Sequence, residues 1–320
     1  MIFTLTLNPA LDLEYRVDRI EMGEIHRSVP ARADWGGKGF NVSRVLRVLG
    51  EESTAVGFAG GHTGRRLAEG LEALGIRTEL VWTAGETRTN ISVVGADGGY
   101  IKVNEPGPEI AAADVERLLE RVSELTGAGD LWVMSGSLPR GVAADFYAAA
   151  IRRAKARGGR VLLDTSGKAL AAAWRAGPDL LKPNAEEAAE LTGLAVTNAE
   201  EAVRAARAIL AGGAARVVLS MGGQGAAALE GEQAWFAPPL EVAAANPVGA
   251  GDALVAGLAA GLARGWSLPE LLRLGSACGA CAAATPGTGI GPRAEIDSLF
   301  AAAQVQPLPI PQPPSPGEGG

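Results

Sequence analysis

The most constraining feature of this chain is a repeated alternation between short apolar runs and longer segments with helical periodicity. Short apolar runs favour buried strands, and apolar residues that recur with a helical period favour amphipathic helices. Because strand, helix and strand repeat in this order, we predict an α/β fold with a mostly parallel sheet that binds its ligands beyond the carboxyl ends of the strands. The predicted strands are Ile2 to Leu7, Thr54 to Phe58, Leu131 to Ser135, Val161 to Asp164, Leu180 to Lys182 and Val217 to Met221; the predicted helices include Gly39 to Leu49, Arg65 to Leu74, Val115 to Leu125, Ala143 to Ala156 and Glu200 to Leu210.

Two segments, residues 12–35 and 88–104, interrupt this alternation. They are richer in polar and β-favouring residues and lack helical periodicity. We expect them to form a small separate sheet that closes over a substrate as a lid and excludes water. The alternative is that they are edge strands of the main sheet.

The length of 320 residues fits one large domain or two smaller ones. We expect a single domain over residues 1–303, with the lid segments inserted, and a Pro- and Gly-rich tail over residues 304–320 that is disordered or extended. The net charge of −7 and the lack of a basic run argue against a nucleic-acid partner. Without a signal peptide or an apolar run long enough to span a membrane, a cytoplasmic protein is expected.

The few cysteines and histidines argue against thiol and zinc chemistry. Cys278 and Cys281 match a C-x-x-C pattern but lie inside an apolar helical run, so we expect them to be small core residues. His26 and His62 lie in polar or Gly-rich surroundings, and we expect both at the surface or in loops.

The segment 246–252 reads NPVGAGD and precedes an Ala-rich helical run. Its small residues allow a tight turn that directs backbone N–H groups outward, and a helix N-terminus attracts anions. These features predict a phosphate socket formed by the amides of Gly249, Ala250 and Gly251. Asp252 would then be the general base that takes a proton from an attacking hydroxyl.

A second glycine-rich turn, residues 35–42 with the sequence WGGKGFNV, precedes another helix. Lys38 could neutralise a phosphate, and Asn41 could bind sugar hydroxyls. The turn is not a P-loop, because Arg32 stands where a glycine is required, and the 249–254 turn is not a dinucleotide fingerprint, because Leu254 replaces the third glycine. Because neither turn matches its pattern, we expect a different nucleotide-binding fold.

Other polar groups follow the predicted strands. Asp12 could bind a hydroxyl, or it could only stabilise a turn. Arg88 could bind a phosphate, and Arg27 is a weaker candidate for the same role. Asn184 and Glu187 have the spacing of a helix capping box, and at the sheet edge they could also organise the water shell of Mg²⁺. The segment from Ser220 to Gly225 could line a nucleotide or turn into a hairpin.

Together these motifs resemble those of the ribokinase-like (PfkB) carbohydrate kinases, from Thr4 to about Ile290. The two segments GGKGFNV (36–42) and NPVGAGD (246–252) match the two signatures of that family. The opening TLNPALD, the GGHTG turn (60–64), ETR (86–88), SGSLP (135–139) and KPN (182–184) resemble its phosphosugar branch, which contains 1-phosphofructokinase, tagatose-6-phosphate kinase and the minor 6-phosphofructokinase.

The resemblance implies a ribokinase-like three-layer fold with a small β-sheet lid that forms a homodimer contact. It implies ATP and Mg²⁺, with K⁺ as a further ion held by carbonyls near Asn246 and Val248. It also implies the role of each site residue: Asp252 as base; Gly249, Ala250 and Gly251 as anion hole; Asp12, Gly37, Lys38, Asn41, Arg88, Ser137 and Arg27 for the sugar phosphate; Lys182, Asn184, Glu187, Ser220, Gly222, Gly223 and Gly225 for Mg²⁺-ATP, with Glu187 reaching the metal through water.

Fructose 1-phosphate, converted to fructose 1,6-bisphosphate, is the first expectation for the substrate. Tagatose 6-phosphate and fructose 6-phosphate are the alternatives within the family. A sugar-phosphate sensor without turnover is the alternative of another class, and the intact turn from Gly249 to Asp252 argues against it.

Overall fold

The computed structural model describes residues 1–29, 32–243, 248–285 and 290–309 and separates into two compact units. The first unit is Met1–Gly159 and the second begins at Arg160. The prediction of one domain over residues 1–303 stays a prediction. No helix within the described ranges is long and apolar enough to cross a membrane.

The first unit contains eight strands and four helices. In chain order they are β1 (Ile2–Thr6), β2 (Ala10–Val17), β3 (Arg32–Gly36), α1 (Lys38–Val48), β4 (Thr54–Gly60), α2 (Gly61–Ala73), β5 (Arg77–Thr83), β6 (Arg88–Gly95), β7 (Tyr100–Asn104), α3 (Ala112–Leu125), β8 (Leu131–Ser135) and α4 (Phe146–Ala156).

The main sheet of this unit has the strand order β8-β1-β4-β5, with all neighbours parallel. Every residue of β1, β4 and β8 is buried, which is why their apolar runs identified them in the sequence. β5 was missed because it is only partly buried and its first three residues are charged or polar. The predicted helices are all present, although α4 begins at Phe146 rather than Ala143.

The two segments that interrupt the alternation form a separate four-stranded sheet, in the order β3-β2-β6-β7. The prediction of a small second sheet is confirmed, and the alternative of edge strands in the main sheet is wrong. The sheet begins at Ala10, two residues before the predicted start. Its register places Asp12 opposite both Asp34 and Asn90, and Asn90 opposite Asn104. One polar row therefore crosses all four strands.

The second unit begins with the same alternation of strands and helices, and its described residues end with three helices and a short strand. Its elements are β9 (Arg160–Asp164), α5 (Gly167–Ala173), β10 (Leu180–Leu181), α6 (Ala185–Thr192), α7 (Ala199–Ala211), β11 (Arg216–Ser220), β12 (Ala226–Glu230), β13 (Gln233–Ala237), α8 (Ala250–Arg264), α9 (Leu268–Ala284), α10 (Arg293–Ala302) and β14 (Gln306–Leu308), with short 3₁₀ turns at Trp174–Ala176 and Gly222–Gln224. β9, β10 and β11 are parallel, whereas β12, β13 and β14 add antiparallel neighbours.

β14 lies within the segment for which we predicted a disordered or extended tail. Gln306 pairs with Phe236 and Leu308 with Ala234, so this part of the tail is extended and joined to β13. Residues 310–320 lie outside the described residues, and the prediction of disorder there stays a prediction.

The two cysteines are buried in α9, as predicted. Each is 1% exposed and free, and burial raises the pKa of Cys278 to about 12 and that of Cys281 to about 11. Thiols with such raised pKa values stay protonated at neutral pH, which makes them poor nucleophiles and poor metal ligands.

α8 packs closely against α9 because two glycines face each other. A β-carbon on Gly257 would lie 2.7 Å from the Cα of Gly275 and 2.8 Å from the carbonyl oxygen of Leu274. Both of these atoms belong to backbone, which cannot rotate away as a side chain can. A β-carbon on Gly275 would meet the carbonyl oxygen of Leu254 at 3.1 Å and the flexible side chain of Leu258 at 3.2 Å.

We therefore expect Gly257→Ala to lower the free energy of unfolding by about 1–3 kcal/mol through overpacking. Gly275→Ala is the matched control on the facing helix, and its cost should be smaller because a side chain can adjust. Urea unfolding of both full-length variants measures the difference. Equal stability of the two variants would contradict this account of the helix contact.

Candidate active site

The start of α1 packs against the carboxyl end of β1, and this contact explains the glycines of the 36–39 turn. Gly37 has a positive φ of 115°, and a β-carbon on Gly39 would lie 2.5 Å from Oγ1 of Thr6 and 2.8 Å from the carbonyl oxygen of Leu5. The N–H of Phe40 donates to the same Thr6 hydroxyl at 3.1 Å. The contact therefore holds Lys38 and Asn41 near the carboxyl end of β1.

The turn after β8 lies beside Lys38. A β-carbon on Gly136 would be 3.6 Å from Cβ of Lys38, and the carbonyl of Gly136 accepts a hydrogen bond from the buried Tyr147 hydroxyl at 3.0 Å. Ser137 follows directly and is exposed. The turn that contains Ser137 therefore lies beside Lys38, and the Tyr147 hydroxyl holds this turn.

Asp12 lies on β2 with its carboxylate held by a neighbouring strand. The side-chain nitrogen of Asn90 donates to Oδ1 of Asp12 at 2.7 Å. Burial raises the pKa of Asp12, while the Asn90 hydrogen bond and the charges of Lys102 and Arg88 oppose this rise and Asp34 adds to it. Gly36 must lack a side chain here, because a β-carbon on it would overlap Oδ2 of Asp12.

Asn41 is oriented by an arginine that the sequence analysis missed. Arg44, with a side chain only 10% exposed, donates to Oδ1 of Asn41 at 3.3 Å and to Oδ1 of Asp34 at 2.8 Å. Nε of Arg32 lies 3.1 Å from the other oxygen of Asp34. The spacing of three residues between Asn41 and Arg44, one helical turn, was the available signal. Because Arg44 engages the amide oxygen, the amide nitrogen of Asn41 is directed elsewhere.

Arg88 uses part of its guanidinium to bind backbone. Its terminal nitrogens donate to the carbonyls of Glu105 at 3.0 Å and Asn8 at 3.1 Å, and its buried Nε has no hydrogen-bond partner among the described residues. Burial lowers the pKa of Arg88, although an arginine remains charged at neutral pH. The side chain also lines an open groove with Gly85, Glu86 and residues 105–109.

Arg27 is exposed in the loop between β2 and β3. No hydrogen bond or ion pair links it to the substrate residues within the described part of the first unit. The two histidines, His26 and His62, are exposed, as predicted.

In the second unit, the first turn of α8 presents a small backbone surface. Gly249 caps this helix with a φ of 86°, and β-carbons on Gly249 or Gly251 would meet nothing within 4 Å. The first intrahelical bond runs from the N–H of Ala253 to the carbonyl of Gly249 at 2.9 Å, so the preceding amides have no acceptor within the helix. Asp252 lies in this turn and is 8% exposed. Asn246 falls outside the described residues, and Val248 is 39% exposed.

A cavity of about 500 Å³ adjoins this turn. It brings together most of the predicted nucleotide residues with two groups that the sequence analysis missed, the segment around Pro238 to Val242 and one face of α9. The lining is Asn184, Ser220, Gly222, Gly223, Gly225, Ala226, Pro238, Pro239, Leu240, Val242, Ala250, Gly251, Leu254, Ser276, Gly279, Ala280 and Ala283. The small residues of α9 recur at helical spacing, which was the signal for this face.

Asn184 and Glu187 form the capping box that their spacing predicted. Oδ1 of Asn184 accepts from the N–H of Glu187 at 2.8 Å, and Oε2 of Glu187 accepts from the N–H of Asn184 at 2.8 Å. Lys182 is outside the cavity lining and is 5% exposed, with its Nζ 3.0 Å from Oδ1 of the buried Asp164. A direct role of Lys182 toward a nucleotide stays a prediction. Within the described residues, no group of three His, Cys, Asp or Glu side chains could hold a metal ion.

We expect Arg44→Ala to release the Asn41 amide and to leave Asp34 with one cation fewer. The KM for the expected sugar phosphate should rise about three- to tenfold, with a loss of about 1–3 kcal/mol in unfolding free energy. Steady-state kinetics and urea unfolding measure these two effects. Arg47→Ala is the control, because Arg47 lies one turn further along α1 and makes only an exposed bond to the Leu74 carbonyl. A KM as little changed as in the control would contradict the role of Arg44.

Comparison with known proteins agrees with this geometry. The family model of the pfkB family carbohydrate kinases matches residues 6–295. The 1-phosphofructokinase of Bacillus subtilis is 37% identical over 88% of this chain and 92% of its own length, and the tagatose-6-phosphate kinase of Staphylococcus epidermidis strain RP62A is 34% identical over 95% and 99%. The crystal structure of Escherichia coli phosphofructokinase-2 in complex with potassium has a TM-score of 0.89 and 34% identity, with coverage of 94% of this chain and 98% of that one.

These matches extend over almost the whole chain and confirm the predicted ribokinase-like fold class, with its mostly parallel sheet and its separate small sheet. The family is one of phosphotransferases that act on carbohydrates. The chain belongs to the pfkB family of carbohydrate kinases.

Proposed function

We propose that this protein transfers the γ-phosphoryl group of ATP to fructose 1-phosphate, with fructose 1,6-bisphosphate as the product. The observation that carries the proposal is the buried Asp252 in the first turn of α8, beside a cavity of nucleotide size. The names of the similar proteins support a phosphorylated ketohexose as the acceptor.

The acceptor sugar would be held by groups of the first unit. The carboxylate of Asp12 and the amide of Asn41 suit hydroxyls, and the charges of Lys38 and Arg88 suit a phosphate. Gly37 allows close approach of the backbone, and Ser137 is exposed beside Lys38. The unpartnered Nε of Arg88 supports this assignment, since a buried cationic donor is stabilised by an anion. Arg27 is the least supported of the proposed sugar residues.

The donor ATP would occupy the cavity of the second unit. Its apolar lining from Pro238 to Val242 and from α9 suits a base, and the glycines at 222, 223 and 225 allow close backbone approach. The amides of the α8 first turn suit a phosphate group, since they lack intrahelical acceptors and lie at the positive end of the helix dipole.

Magnesium would neutralise the charge of the phosphates when it enters with ATP. Without a carboxylate cluster in the described residues, few direct protein ligands are available, which suits an ion that keeps several of its waters. Glu187, 9% exposed and next to the cavity residue Asn184, is the residue that would contact this water shell. We also propose K⁺ as a monovalent ion held by carbonyls near Asn246 and Val248.

Asp252 would accept the proton of the free primary hydroxyl at C6 of fructose 1-phosphate as that oxygen attacks the γ-phosphorus. The amides of Gly249, Ala250 and Gly251 would donate hydrogen bonds to the transferring group, whose negative charge is spread over its oxygens. Most of the rate enhancement would come from positioning and electrostatic stabilisation, because the protein forms no covalent intermediate in this scheme.

We further propose a homodimer formed through the small sheet, with that sheet also acting as the lid. The face opposite the polar row carries Ile91, Ile101 and Val103, which are 37%, 40% and 55% exposed. A contiguous exposed apolar face supports an interface with another protein surface. The whole of residues 1–303 is proposed to act as one kinase domain.

Tagatose 6-phosphate is the second candidate substrate, because a relative covered almost completely by this chain carries that name. An ADP-release assay should give fructose 1-phosphate a kcat/KM at least about tenfold above tagatose 6-phosphate and fructose 6-phosphate. A higher value for another sugar phosphate would overturn the substrate assignment. No turnover with any hexose monophosphate would overturn the proposed function itself.

Asp252→Asn should reduce kcat about 10²- to 10⁴-fold, because the amide cannot accept the proton. Binding of ATP and of fructose 1-phosphate, measured by calorimetry, should change little. Asp297→Asn is the control, since Asp297 is exposed on α10 and forms an ion pair with Arg293, and its kcat should stay near the native value. A native kcat for Asp252→Asn would reject the general-base role.

A further inference from the structure

A row of polar side chains crosses the small sheet on one face. The register places Asp34, Asp12, Asn90 and Asn104 opposite one another on β3, β2, β6 and β7. Side chains directly opposite on neighbouring strands project from the same face. Of the two outer members, Asp34 forms an ion pair with Arg44, and Asn104 is exposed to solvent. The two inner members, Asp12 and Asn90, are coupled to each other.

The orientation of the Asn90 amide follows from this coupling. An ionised carboxylate can only accept hydrogen bonds, so the group 2.7 Å from Oδ1 of Asp12 must be the nitrogen of Asn90. Its oxygen then faces away from Asp12. This oxygen is buried and has no hydrogen-bond partner among the described residues, and the residue as a whole is 9% exposed. An unpaired buried carbonyl is unfavourable unless a ligand supplies a donor.

The other buried side-chain atoms of the first unit that lack a hydrogen-bond partner among the described residues are Oδ1 of Asn8, Nε of Arg88 and Oγ of Ser135. The first two indicate what kind of ligand this is. Oδ1 of Asn8 is a second buried acceptor without a partner, and Nε of Arg88 is a buried cationic donor without one. Asn8 and Arg88 are in contact through the Asn8 carbonyl. Unfilled acceptors require hydroxyl or N–H donors, and an unfilled guanidinium donor suits a phosphate. A polyhydroxylated phosphate ester carries both.

We propose that Asn90 is a sugar-binding residue of this kinase: its amide nitrogen holds the Asp12 carboxylate, and its amide oxygen accepts a hydrogen bond from a second hydroxyl of the ketohexose monophosphate. This inference rests on the proposed function and extends it to a residue that the family signatures do not include. Asp12 and Asn90 present two acceptors on adjacent strands, roughly 5 Å apart at their β-carbons.

Two fixed acceptors can distinguish the configuration of the hydroxyls that they bind. A sugar with one hydroxyl inverted donates to only one of the two acceptors and leaves the other acceptor buried and unpaired. Such a mismatch gives a large difference in kcat/KM between the two sugars. Asn90 is therefore a residue that contributes to the choice between ketohexose phosphates that differ at one carbon.

The experiment compares fructose 1-phosphate with its 3-deoxy and 4-deoxy analogues in the wild-type protein and in Asn90→Ala. With fructose 1-phosphate, the variant should lose about 10- to 100-fold in kcat/KM, mainly through KM, with the KM for ATP unchanged. For the analogue that lacks the hydroxyl bound by Asn90, the same substitution should cost about threefold or less. The substitution and the missing hydroxyl then remove the same hydrogen bond.

A purely structural role of Asn90 gives a different result. If Asn90 only fixed Asp12, its loss would reduce kcat/KM by the same factor for fructose 1-phosphate and for both analogues, and this outcome would overturn the inference. Where Asn90→Ala does not fold, Asn90→Leu, which is close in volume and has no polar side-chain atom, takes its place in the same comparison.

Asn104→Ala is the matched control, since Asn104 is the same residue type in the same row but is exposed. Its kinetics with all three sugars should match those of the wild-type protein. The wild-type measurements also separate the two proposals. Absence of turnover with every hexose monophosphate would reject the proposed function together with this inference, whereas wild-type turnover with uniform losses in the variants would reject the role of Asn90 alone.

Discussion

The first turn of α8 is the constraint on which the proposed chemistry of this protein depends. Gly249 enters the helix with a positive φ, so the following amides point outward without intrahelical acceptors, and Asp252 is buried in the same turn. A carboxylate at this position lies at the positive end of the helix dipole, which suits its proposed role as the general base. The same dipole attracts a phosphate group. Close packing of Gly257 against Gly275 fixes the helix that carries both functions.

In the first unit, side chains rather than backbone amides form the proposed binding site. Asp12, Asp34 and Asn90 are brought to one face of a small sheet, and each has a specific neighbour that limits the cost of its burial. Arg44 links this sheet to α1 by contacting both Asp34 and Asn41. The groups that we propose for sugar recognition are thereby held by hydrogen bonds within the protein. Those without a partner among the described residues are where we propose that a ligand completes the network.

Much of the fold could be predicted because its signals are local. Buried strands such as β1 and β8 are continuous apolar runs, the capping box of Asn184 and Glu187 follows from their spacing, and the polar composition of residues 88–104 separated the small sheet from the main one. β5 was missed because charged and polar residues occupy its first three positions, and β14 because proline and glycine dominate the composition of the tail around it. In both strands pairing with a neighbour overrides the local signal.

The sequence by itself determined the motifs from which we predict phosphoryl transfer: the two glycine turns, the aspartate after one and the lysine after the other. It determined these because tight turns and helix starts need particular residues at fixed spacing. Only the tertiary structure decided which polar groups meet, such as Asn90 with Asp12 and Arg44 with Asp34, and that the small residues of α9 line one cavity with Ser220 and Gly223. These contacts join residues far apart along the chain, and they depend on strand register and helix packing, which no local pattern specifies.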